Sequence, residues 1–360
     1  MTTRNYALLP ARLLPADFFY IILGFILAVS GAHAWADVAS PNKTSSDELV
    51  AYQQAAAYSR AHRGLSMVIM KNGKIVFEDY AKGHTADEPH NLYSGTKSFS
   101  CAIAVAAIQD KLLSFDEPVS KTITEWQTDV QKSKITIHQL LTLTSGIDAG
   151  KTGSKPSYTE AIETEVLHAP GRAFQYGPIP FQIFGEVMRR KLAATGENPR
   201  EYLSRRVLKP IGAQIDSWRT TEDGNPKMHA GAFLTAREWA KYGQLVLNQG
   251  RWEGKEILNK KYLSECSDGT AVNPGYGVTF WLPTKAGINS EGHNTNRSAE
   301  KLKAIHAPDL IIKAAGVGGQ KLYVIPSQNL VVVRQASRLP LWGRGFEDAG
   351  FLAPLFKLKS

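Results

Sequence analysis

The 360-residue sequence has only two cysteines, Cys101 and Cys266. Two cysteines exclude a disulfide-rich scaffold and a four-cysteine zinc site. The nine histidines form no His-Glu-x-x-His motif and no close ligand cluster, so we expect neither a metal site nor a cofactor. The chain also lacks a Gly-x-Ser-x-Gly elbow, a Gly-x-Gly-x-x-Gly segment and a P-loop. Their absence argues against an α/β-hydrolase and against nucleotide binding.

The charge is basic but not concentrated. Lysine and arginine number 42 against 33 aspartate and glutamate, a formal net charge of +9. No dense basic run interleaved with aromatic residues is present, so we do not expect nucleic acid as a partner. Hydrophobic residues make up 43% and charged residues 21%, which is ordinary for a folded protein and excludes disorder as the main state.

The N-terminus carries a targeting pattern. Residues 18–36 are mostly apolar and carry no charge, follow Arg4 and Arg12, and end in Ala34-Trp35-Ala36. This predicts a cleaved signal peptide over residues 1–36 and a periplasmic or secreted protein. The alternative is an uncleaved membrane anchor, in which case the membrane would be a partner. An oxidising compartment would permit a bond between the two cysteines, but one of them lies in an apolar run and we expect a buried free thiol there.

Hydrophobic periodicity and turn signals predict the order of the elements. Ser45 and Glu48 form a capping-box pattern at the start of a helix that runs to about Arg63. Asn72-Gly73 lies between two runs of β-forming residues and predicts a hairpin, because both turn residues need positive φ. Ser94 to Leu113 is apolar nearly all round and predicts a buried helix. Further predicted elements are helices at Thr136–Thr142, Pro180–Leu192 and after Thr235, strands at 275–282, 310–316, 320–326 and 330–336, and a closing helix at about Phe346–Leu358.

These elements predict an α+β (α-β) fold of two lobes. Strands from the N- and C-terminal segments, about 45–90 and 270–360, form one antiparallel sheet flanked by helices. The mostly helical stretch between them, about 91–269, is a large insert that forms the second lobe. We expect one domain over 37–360, with a ligand in the cleft between the lobes.

Ser94-Gly95-Thr96-Lys97 is a Ser-x-x-Lys motif at the start of the predicted buried helix. Residues three apart share a helix face, so Lys97 can reach the Ser94 hydroxyl. A serine at a helix N-terminus has a backbone N–H free for an oxyanion, and a lysine in a dry site can act as a base. Ser40–Lys43 and Ser298–Lys301 also match the motif, but neither precedes a long apolar helix.

From this motif onward the chain resembles a known family. A hairpin followed by Ser-x-x-Lys at the start of a buried helix is similar to the serine β-lactamase and penicillin-recognising superfamily. Three segments, 108–119, 135–146 and 170–176, resemble the branch that contains class C β-lactamases, esterases and 6-aminohexanoate-dimer hydrolases. The resemblance spans about residues 64–336 and implies a β-lactamase/transpeptidase-like fold.

The resemblance also implies site residues. Ser94 would be the nucleophile, Lys97 its general base and Tyr176, which follows a Pro-Gly-x-x-Phe segment, the second proton shuttle. Gly316 opens a segment that looks like the Gly-x-x-Gly-Gln of the 6-aminohexanoate branch, where the Val317 N–H would complete the oxyanion hole. Trp281 is a further candidate for the wall of the cleft, with ordinary core packing as the alternative.

Two departures from the family pattern bear on the substrate. Members that bind β-lactams usually have asparagine where this chain has Pro178, and Lys-Thr-Gly or His-x-Gly where it has Ala314-Ala315-Gly316. We therefore expect an exported serine hydrolase that cleaves an ester or amide bond of a small-molecule or peptide-like substrate through a Ser94 acyl-enzyme. The alternatives are a β-lactamase or D,D-peptidase-type penicillin-binding enzyme, or a catalytically degenerate ligand-binding member of the same fold.

Overall fold

The structure is a computed structural model that describes residues 44–337 and 345–356. The predicted signal peptide, the segment after it up to residue 43 and the last residues of the predicted closing helix lie outside these ranges. No helix within them is long and apolar enough to cross a membrane.

The described ranges contain ten α-helices and ten strands. The helices are α1 Ser46–Ala61, α2 Phe99–Gln109, α3 Ile137–Leu141, α4 Tyr158–Glu163, α5 Ile179–Lys191, α6 Pro199–Leu203, α7 Ala236–Leu247, α8 Lys260–Ser264, α9 Asn296–Ala304 and α10 Asp348–Phe356. The strands are β1 Gly64–Lys71, β2 Lys74–Tyr80, β3 His90–Asn91, β4 Ser217–Trp218, β5 Ala232–Leu234, β6 Arg251–Trp252, β7 Lys255–Glu256, β8 Ile312–Gly316, β9 Gln320–Ile325 and β10 Leu330–Ala336. Shorter turns of 3₁₀-helix lie at Tyr93–Ser98, Val119–Lys121, Thr124–Trp126, Lys132–Lys134, Lys209–Ile211, Glu265–Ser267 and Pro326–Gln328, with a π-turn at Ser204–Leu208.

The main sheet joins the two ends of the chain. Its five strands lie in the order β2-β1-β10-β9-β8, and every neighbouring pair is antiparallel. β1 pairs with β10 from Gly64 opposite Ala336 to Lys71 opposite Leu330. This sheet, with helices flanking it, confirms the predicted β-lactamase/transpeptidase-like fold class.

Both faces of the sheet are covered because alternate residues of each strand point to opposite sides. Met67 and Ile69 of β1 pack with the core that α1 and α10 cover. Val68 and Met70 point the other way, into the larger core that contains α2, α5 and α7. Helix α7 lies very close to this face, since a Cβ at Gly243 would come within 2.6 Å of a Leu322 side-chain carbon. The sheet is therefore the middle layer of the domain.

Several local predictions are confirmed. Ser45 accepts a hydrogen bond from the Glu48 N–H, and the Glu48 carboxylate accepts one from the Ser45 N–H, which completes the capping box of α1. Asn72 and Gly73 have φ of 50° and 77° and form the turn between β1 and β2. The closing helix begins at Asp348. Each of these features depends on residues close in sequence.

The predicted helix from Ser94 to Leu113 is divided. Its first turn, Tyr93–Ser98, is a 3₁₀-helix, and the α-helix proper is Phe99–Gln109. The motif serine therefore lies in the 3₁₀ turn ahead of α2. Lys97 still follows it by one turn, because a 3₁₀-helix places residues three apart in line.

The prediction of a strand at 275–282 is wrong. The segment folds back in a tight turn in which Tyr276 bridges Trp281, and Thr279 has a positive φ of 71°. A positive φ is incompatible with a strand, and a Cβ at Gly277 would lie 2.5 Å from the Cys266 carbonyl oxygen. Trp281 alone extends the sheet, through backbone hydrogen bonds of 2.8 Å in both directions with Lys313.

The expectation of a buried free thiol is also wrong, because Cys101 and Cys266 form a disulfide. Both residues are buried, as the apolar run around Cys101 indicates, but each is the other's bonding partner. The bond joins α2 to the 3₁₀ turn Glu265–Ser267. Their Cα atoms lie 6.2 Å apart although 165 positions separate them in the chain, a proximity that only the tertiary fold creates.

Candidate active site

Ser94 lies in the 3₁₀ turn that connects β3 to α2. The side-chain oxygen of Asn91 accepts a hydrogen bond of 2.8 Å from the Tyr93 N–H, and Tyr93 has a φ of 47°. A left-handed tyrosine is unfavourable, and such conformations cluster at functional sites. The turn presents the half-buried Ser94 side chain to the cavity described below.

Lys97 and Ser94, the two ends of the Ser-x-x-Lys motif, are in direct contact. Its ammonium donates hydrogen bonds to the Ser94 hydroxyl oxygen, at 3.2 Å, and to the His229 carbonyl oxygen, at 3.0 Å. The nitrogen lies 4.9 Å from the ring centre of Tyr176 and 5.3 Å from that of Phe181. Only 4% of the lysine is exposed.

The surroundings of Lys97 disfavour its charged form. Burial lowers the pKa of Lys97 to about 7. None of the ion pairs among the described residues includes Lys97, so no carboxylate offsets the loss of hydration. Near neutral pH a large fraction of this lysine is therefore uncharged and able to accept the Ser94 proton.

Tyr176 completes the group, because its ring centre lies 4.9 Å from the Lys97 nitrogen. Burial raises the pKa of Tyr176 to about 12, and the interaction with the Ser94 side chain acts in the opposite direction. The phenol therefore stays protonated at neutral pH. Its segment is held by the preceding loop, since the Ile179 N–H donates to the Ala149 carbonyl oxygen at 3.1 Å. The structure thus brings the three predicted residues together, and their catalytic roles remain predictions.

Two residues that the sequence did not indicate position Lys97. The Gln182 side-chain oxygen accepts from the Met228 N–H at 2.9 Å and lies 3.2 Å from Nδ1 of His229, while the Gln182 amide donates to the Pro156 carbonyl oxygen at 2.9 Å. Burial, with the nearby positive charge of Lys97, lowers the pKa of His229 to about 3, so its ring is neutral. The group that touches Lys97 is a backbone carbonyl, which no residue type encodes.

The predicted oxyanion segment lies beside the nucleophile turn. Gly316 passes so close to it that a Cβ would lie 2.1 Å from the Leu92 carbonyl oxygen, and the next residue, Val317, is 44% exposed. The hydrogen bonds of the described residues include none from the backbone N–H of Ser94 or Val317. Both N–H groups are therefore available to an oxyanion, and that role remains a prediction.

Two buried side chains, those of Gln320 and Arg334, hold the turn that contains Val317. The Gln320 amide donates to the Ala336 carbonyl oxygen at 2.7 Å and to that of Val317 at 3.3 Å. The fully buried Arg334 donates to the Gly319 carbonyl oxygen at 2.6 Å. Because the carbonyl oxygens of Val317 and Gly319 are both bonded in this way, the turn holds the Val317 N–H in a fixed position.

A cavity of about 610 Å³ opens at these residues. Ser94, Tyr176, Gly316 and Val317 line it, and so does Trp281, whose ring centre lies 5.2 Å from that of Tyr176. The structure therefore places all the predicted site residues except the buried Lys97 on the wall of one cavity. Lys97 lies behind that wall, in contact with Ser94.

A second Ser-x-x-Lys motif lines the same cavity but has a different geometry. Ser298 and Lys301 lie in α9, where the lysine forms an ion pair of 2.6 Å with Glu347. Lys301 is 42% exposed at its side chain and is not bonded to Ser298. The third match, at Ser40, lies outside the described residues.

Among residues 44–337 and 345–356, no group of three or more histidine, cysteine, aspartate or glutamate side chains is arranged to hold a metal ion.

Comparison with known proteins identifies the family. The sequence profile of the family described as Beta-lactamase matches residues 47–353, most of the chain. The chain belongs to the beta-lactamase family. An uncharacterised protein of Alkalihalophilus pseudofirmus is 22% identical over 308 residues, which cover 75% of this chain and 83% of the relative.

Solved structures with the same fold include hydrolases. A Bacillus anthracis protein described as a candidate 6-aminohexanoate-dimer hydrolase has a TM-score of 0.63 at 20% identity, covering 83% of this chain and 78% of its own. A family VIII carboxylesterase has a TM-score of 0.65 at 17% identity, covering 87% and 97% respectively. At these identities the likeness shows the fold. Members of the beta-lactamase family are serine hydrolases, and this protein is an enzyme of that kind.

The two departures from the family pattern have clear positions. Pro178 is the N-cap residue of α5, two residues after Tyr176, and has no side-chain hydrogen-bond donor. Ala314 lies in β8 with its side chain buried in the core. Neither residue can supply the polar contact that the β-lactam-binding members have at that place.

Proposed function

We propose that the protein hydrolyses an ester or amide bond of a small-molecule or peptide-like substrate through an acyl-enzyme on Ser94. The proposal rests on one observation above the others: the buried Lys97 ammonium lies 3.2 Å from the Ser94 hydroxyl oxygen, with a pKa lowered to about 7. A base that is partly neutral at physiological pH is what activation of a serine requires.

Each side chain then has a role in the reaction. Neutral Lys97 takes the Ser94 proton as the hydroxyl oxygen attacks the substrate carbonyl carbon, and the N–H groups of Ser94 and Val317 bind the resulting oxyanion. Tyr176 donates its proton to the leaving oxygen or nitrogen as that bond breaks, and regains one from Lys97. A water molecule then attacks the acyl carbon and gives a proton to Lys97. The bond between the acyl carbon and the Ser94 oxygen breaks, the acid leaves, and the Ser94 oxygen takes the proton back from Lys97.

Two features support an ester or amide rather than a β-lactam. Pro178 cannot donate a side-chain hydrogen bond, and Ala314 cannot pair with a carboxylate beside the reacting ring. A charge-assisted hydrogen bond contributes about 1.5–3 kcal/mol, so the absence of both contacts weakens β-lactam binding substantially. The β-lactamase and D,D-peptidase readings therefore remain the less favoured alternatives.

Export is part of the proposal. The apolar stretch at 18–36 with its Ala-x-Ala ending is typical of a secretory signal. The disulfide between Cys101 and Cys266 supports an oxidising compartment, because such bonds persist in periplasmic and secreted proteins. Mass determination of the mature N-terminus after expression in a bacterial host would test the cleavage after Ala36.

Labelling with a fluorophosphonate tests the acyl-enzyme. We expect one adduct, mapped by peptide mass spectrometry to Ser94, and loss of p-nitrophenyl butyrate hydrolysis by at least about a thousandfold in Ser94→Ala with little change in melting temperature. Ser298→Ala is the matched control, because this serine belongs to the same motif and cavity but its lysine is bound to Glu347. Labelling at Ser298, or activity that survives in Ser94→Ala, would refute the assignment. A protein that takes no label and cleaves no ester would be the degenerate ligand-binding member.

A further inference from the structure

The cavity does not end at the nucleophile. It follows β8 away from Ser94 to the N-terminus of α10, where its wall includes Lys313 of β8, Lys321 of β9 and Asp348 of α10. Lys321 lies opposite Ala315, and residues two apart in a strand share a face, so Lys313, Ala315 and Lys321 point to one side of the sheet. We call Lys313, Lys321 and Asp348 the lysine subsite.

Of the two ammonium groups in the lysine subsite, that of Lys313 is hydrogen-bonded to Asp348 and that of Lys321 is not. Oδ2 of Asp348 accepts a hydrogen bond from Lys313 at 2.6 Å, and Oδ1 accepts one from the Tyr323 hydroxyl at 2.6 Å. The Lys321 ammonium lies 3.6 Å from Oδ1, beyond hydrogen-bond distance. In the described part of the chain the Lys321 ammonium makes no polar contact shorter than this one, and its side chain is 16% exposed.

The charges of this end of the cavity do not balance. Two ammonium groups face the single carboxylate of Asp348, and the neighbouring Lys301–Glu347 pair is neutral as a whole. The buried Arg334 guanidinium lies 4.1 Å from the Phe346 ring centre, and its hydrogen bonds to the described residues all go to uncharged oxygens. The excess of positive charge is partly shielded from water, where it attracts an anion more strongly than an exposed lysine does.

We propose that the lysine subsite binds a carboxylate of the substrate, so that the enzyme prefers esters or amides whose acid group lies far from the scissile bond. This inference rests on the proposed function. Gly316 abuts the nucleophile turn, and Lys313 lies three residues before it in the same strand, a distance of about 10 Å at 3.3 Å per residue. The carboxylate of a β-lactam, separated from its reacting carbonyl by two atoms, is too close to reach the subsite.

The lysines do not occupy the place of Ala314, where the β-lactam-binding members have a cation or an imidazole. Strand residues alternate, so Lys313 faces the opposite side from Ala314, which points into the core. A cation one place earlier in β8 is therefore displaced from the scissile bond toward α10. The cationic end of the cavity therefore lies farther from Ser94 than a lysine at position 314 would place it.

Matched substrates with and without a terminal acid test the proposal. Mono-p-nitrophenyl octanedioate is compared with p-nitrophenyl octanoate for an acid in the acyl part, and 7-carboxyheptyl acetate with octyl acetate for an acid in the leaving group. We expect the wild-type enzyme to prefer the acidic member of at least one pair. Lys321→Met should lower kcat/KM for that substrate by about tenfold to a hundredfold and leave its neutral partner within about twofold.

Two further variants make the outcome decisive. Lys321→Arg, which keeps the charge, should retain the preference. The double variant Lys301→Met/Glu347→Gln removes a paired lysine and carboxylate from the same cavity without changing its net charge, and should change neither substrate. No acidic preference in either pair, a preference that survives Lys321→Met, or an equal loss in Lys301→Met/Glu347→Gln would overturn the lysine subsite.

The neutral esters separate this inference from the proposed function. If they are hydrolysed without any acidic preference, the subsite fails and the hydrolase stands. If the wild-type enzyme takes no fluorophosphonate label and hydrolyses no ester, the proposed function fails, and calorimetric titration with octanedioate then tests the subsite alone. Binding to the wild-type protein that Lys321→Met abolishes would support it, and no binding to either protein would refute it.

Discussion

The ammonium nitrogen of Lys97 lies 3.2 Å from the hydroxyl oxygen of Ser94 and is almost completely withdrawn from water. The same burial that brings the pKa of Lys97 to about 7 makes this lysine a usable base and a burden on the folded state. Both effects can be measured, and they respond to pH in different ways.

The pH dependence of acylation should report Lys97. Because the pKa of Lys97 is lowered to about 7, the acylation rate should rise with pH through about 7 and level off well below the ordinary lysine value of 10.5. Lys97→Arg should lose acylation by about a hundredfold to ten-thousandfold, since a guanidinium stays protonated and cannot accept the Ser94 proton. Single-turnover kinetics of a p-nitrophenyl ester measure both effects. If Lys97→Arg kept most of its rate, Lys97 would act only through its charge and Tyr176 would be the base.

The stability of the fold should show the opposite side of the same burial. A folded-state pKa of about 7 against 10.5 means that the unfolded chain binds more protons between these values, so the free energy of unfolding rises with pH there. Lys97→Met removes this dependence. Relative to the wild type, the variant should gain on the order of a few kcal/mol at pH 6–7, and the gain should shrink toward pH 10. Urea unfolding at several pH values measures the difference, and a gap that does not change with pH would mean that Lys97 is not desolvated.

Cephalosporin turnover should be poor. We expect kcat/KM for a chromogenic cephalosporin to be at least about a hundredfold below that for p-nitrophenyl butyrate, because Pro178 and Ala314 supply no polar contact. Pro178→Asn restores a side-chain amide at an N-cap position that asparagine favours, and should raise cephalosporin turnover by about tenfold without raising ester turnover. Efficient cephalosporin hydrolysis by the wild type would move the assignment to a β-lactamase.

The disulfide should stabilise the domain measurably. Its two cysteines are 165 positions apart, so the bond restricts a long loop of the unfolded chain. Replacing both by alanine should lower the free energy of unfolding by about 2–5 kcal/mol, as measured by urea denaturation. A reducing agent should destabilise the wild type and have no effect on the double variant. Equal stability of the two proteins in oxidising buffer would show that the bond contributes nothing.

The sequence predicted best what depends on neighbouring residues. The capping box of Ser45 and Glu48 and the turn at Asn72-Gly73 act over three residues or fewer, so local chemistry decides them. The fold class followed from the order of such elements together with the family resemblance. The prediction failed at 275–282, where the β-forming residues are overruled by a tight turn packed against Cys266.

The site was predictable in its side chains but not in its setting. The spacing of Ser94 and Lys97 indicated that they could meet, and the structure shows that they do. The His229 carbonyl that holds Lys97 is a backbone atom from a segment 132 positions away, which leaves no trace in residue types. Lys321 and Asp348 likewise meet only because β9 and α10 lie side by side in the fold.

The pairing of β1 with β10 has a consequence for how the enzyme comes into being. A chain is made from its N-terminus, so Ser94 and Lys97 are present long before Leu330–Ala336, the strand that lies beside β1 in the middle of the sheet. Until that strand arrives, the β1–β2 hairpin has an unpaired edge, and a two-stranded hairpin is barely stable in water. Pairing strands so distant in sequence carries a loop-closure cost that makes it slow. The sheet beside Ser94 and Lys97 can therefore be completed only after the last part of the chain has been made. A protein that ended before residue 330 would contain the Ser-x-x-Lys motif but not the central strand of this sheet.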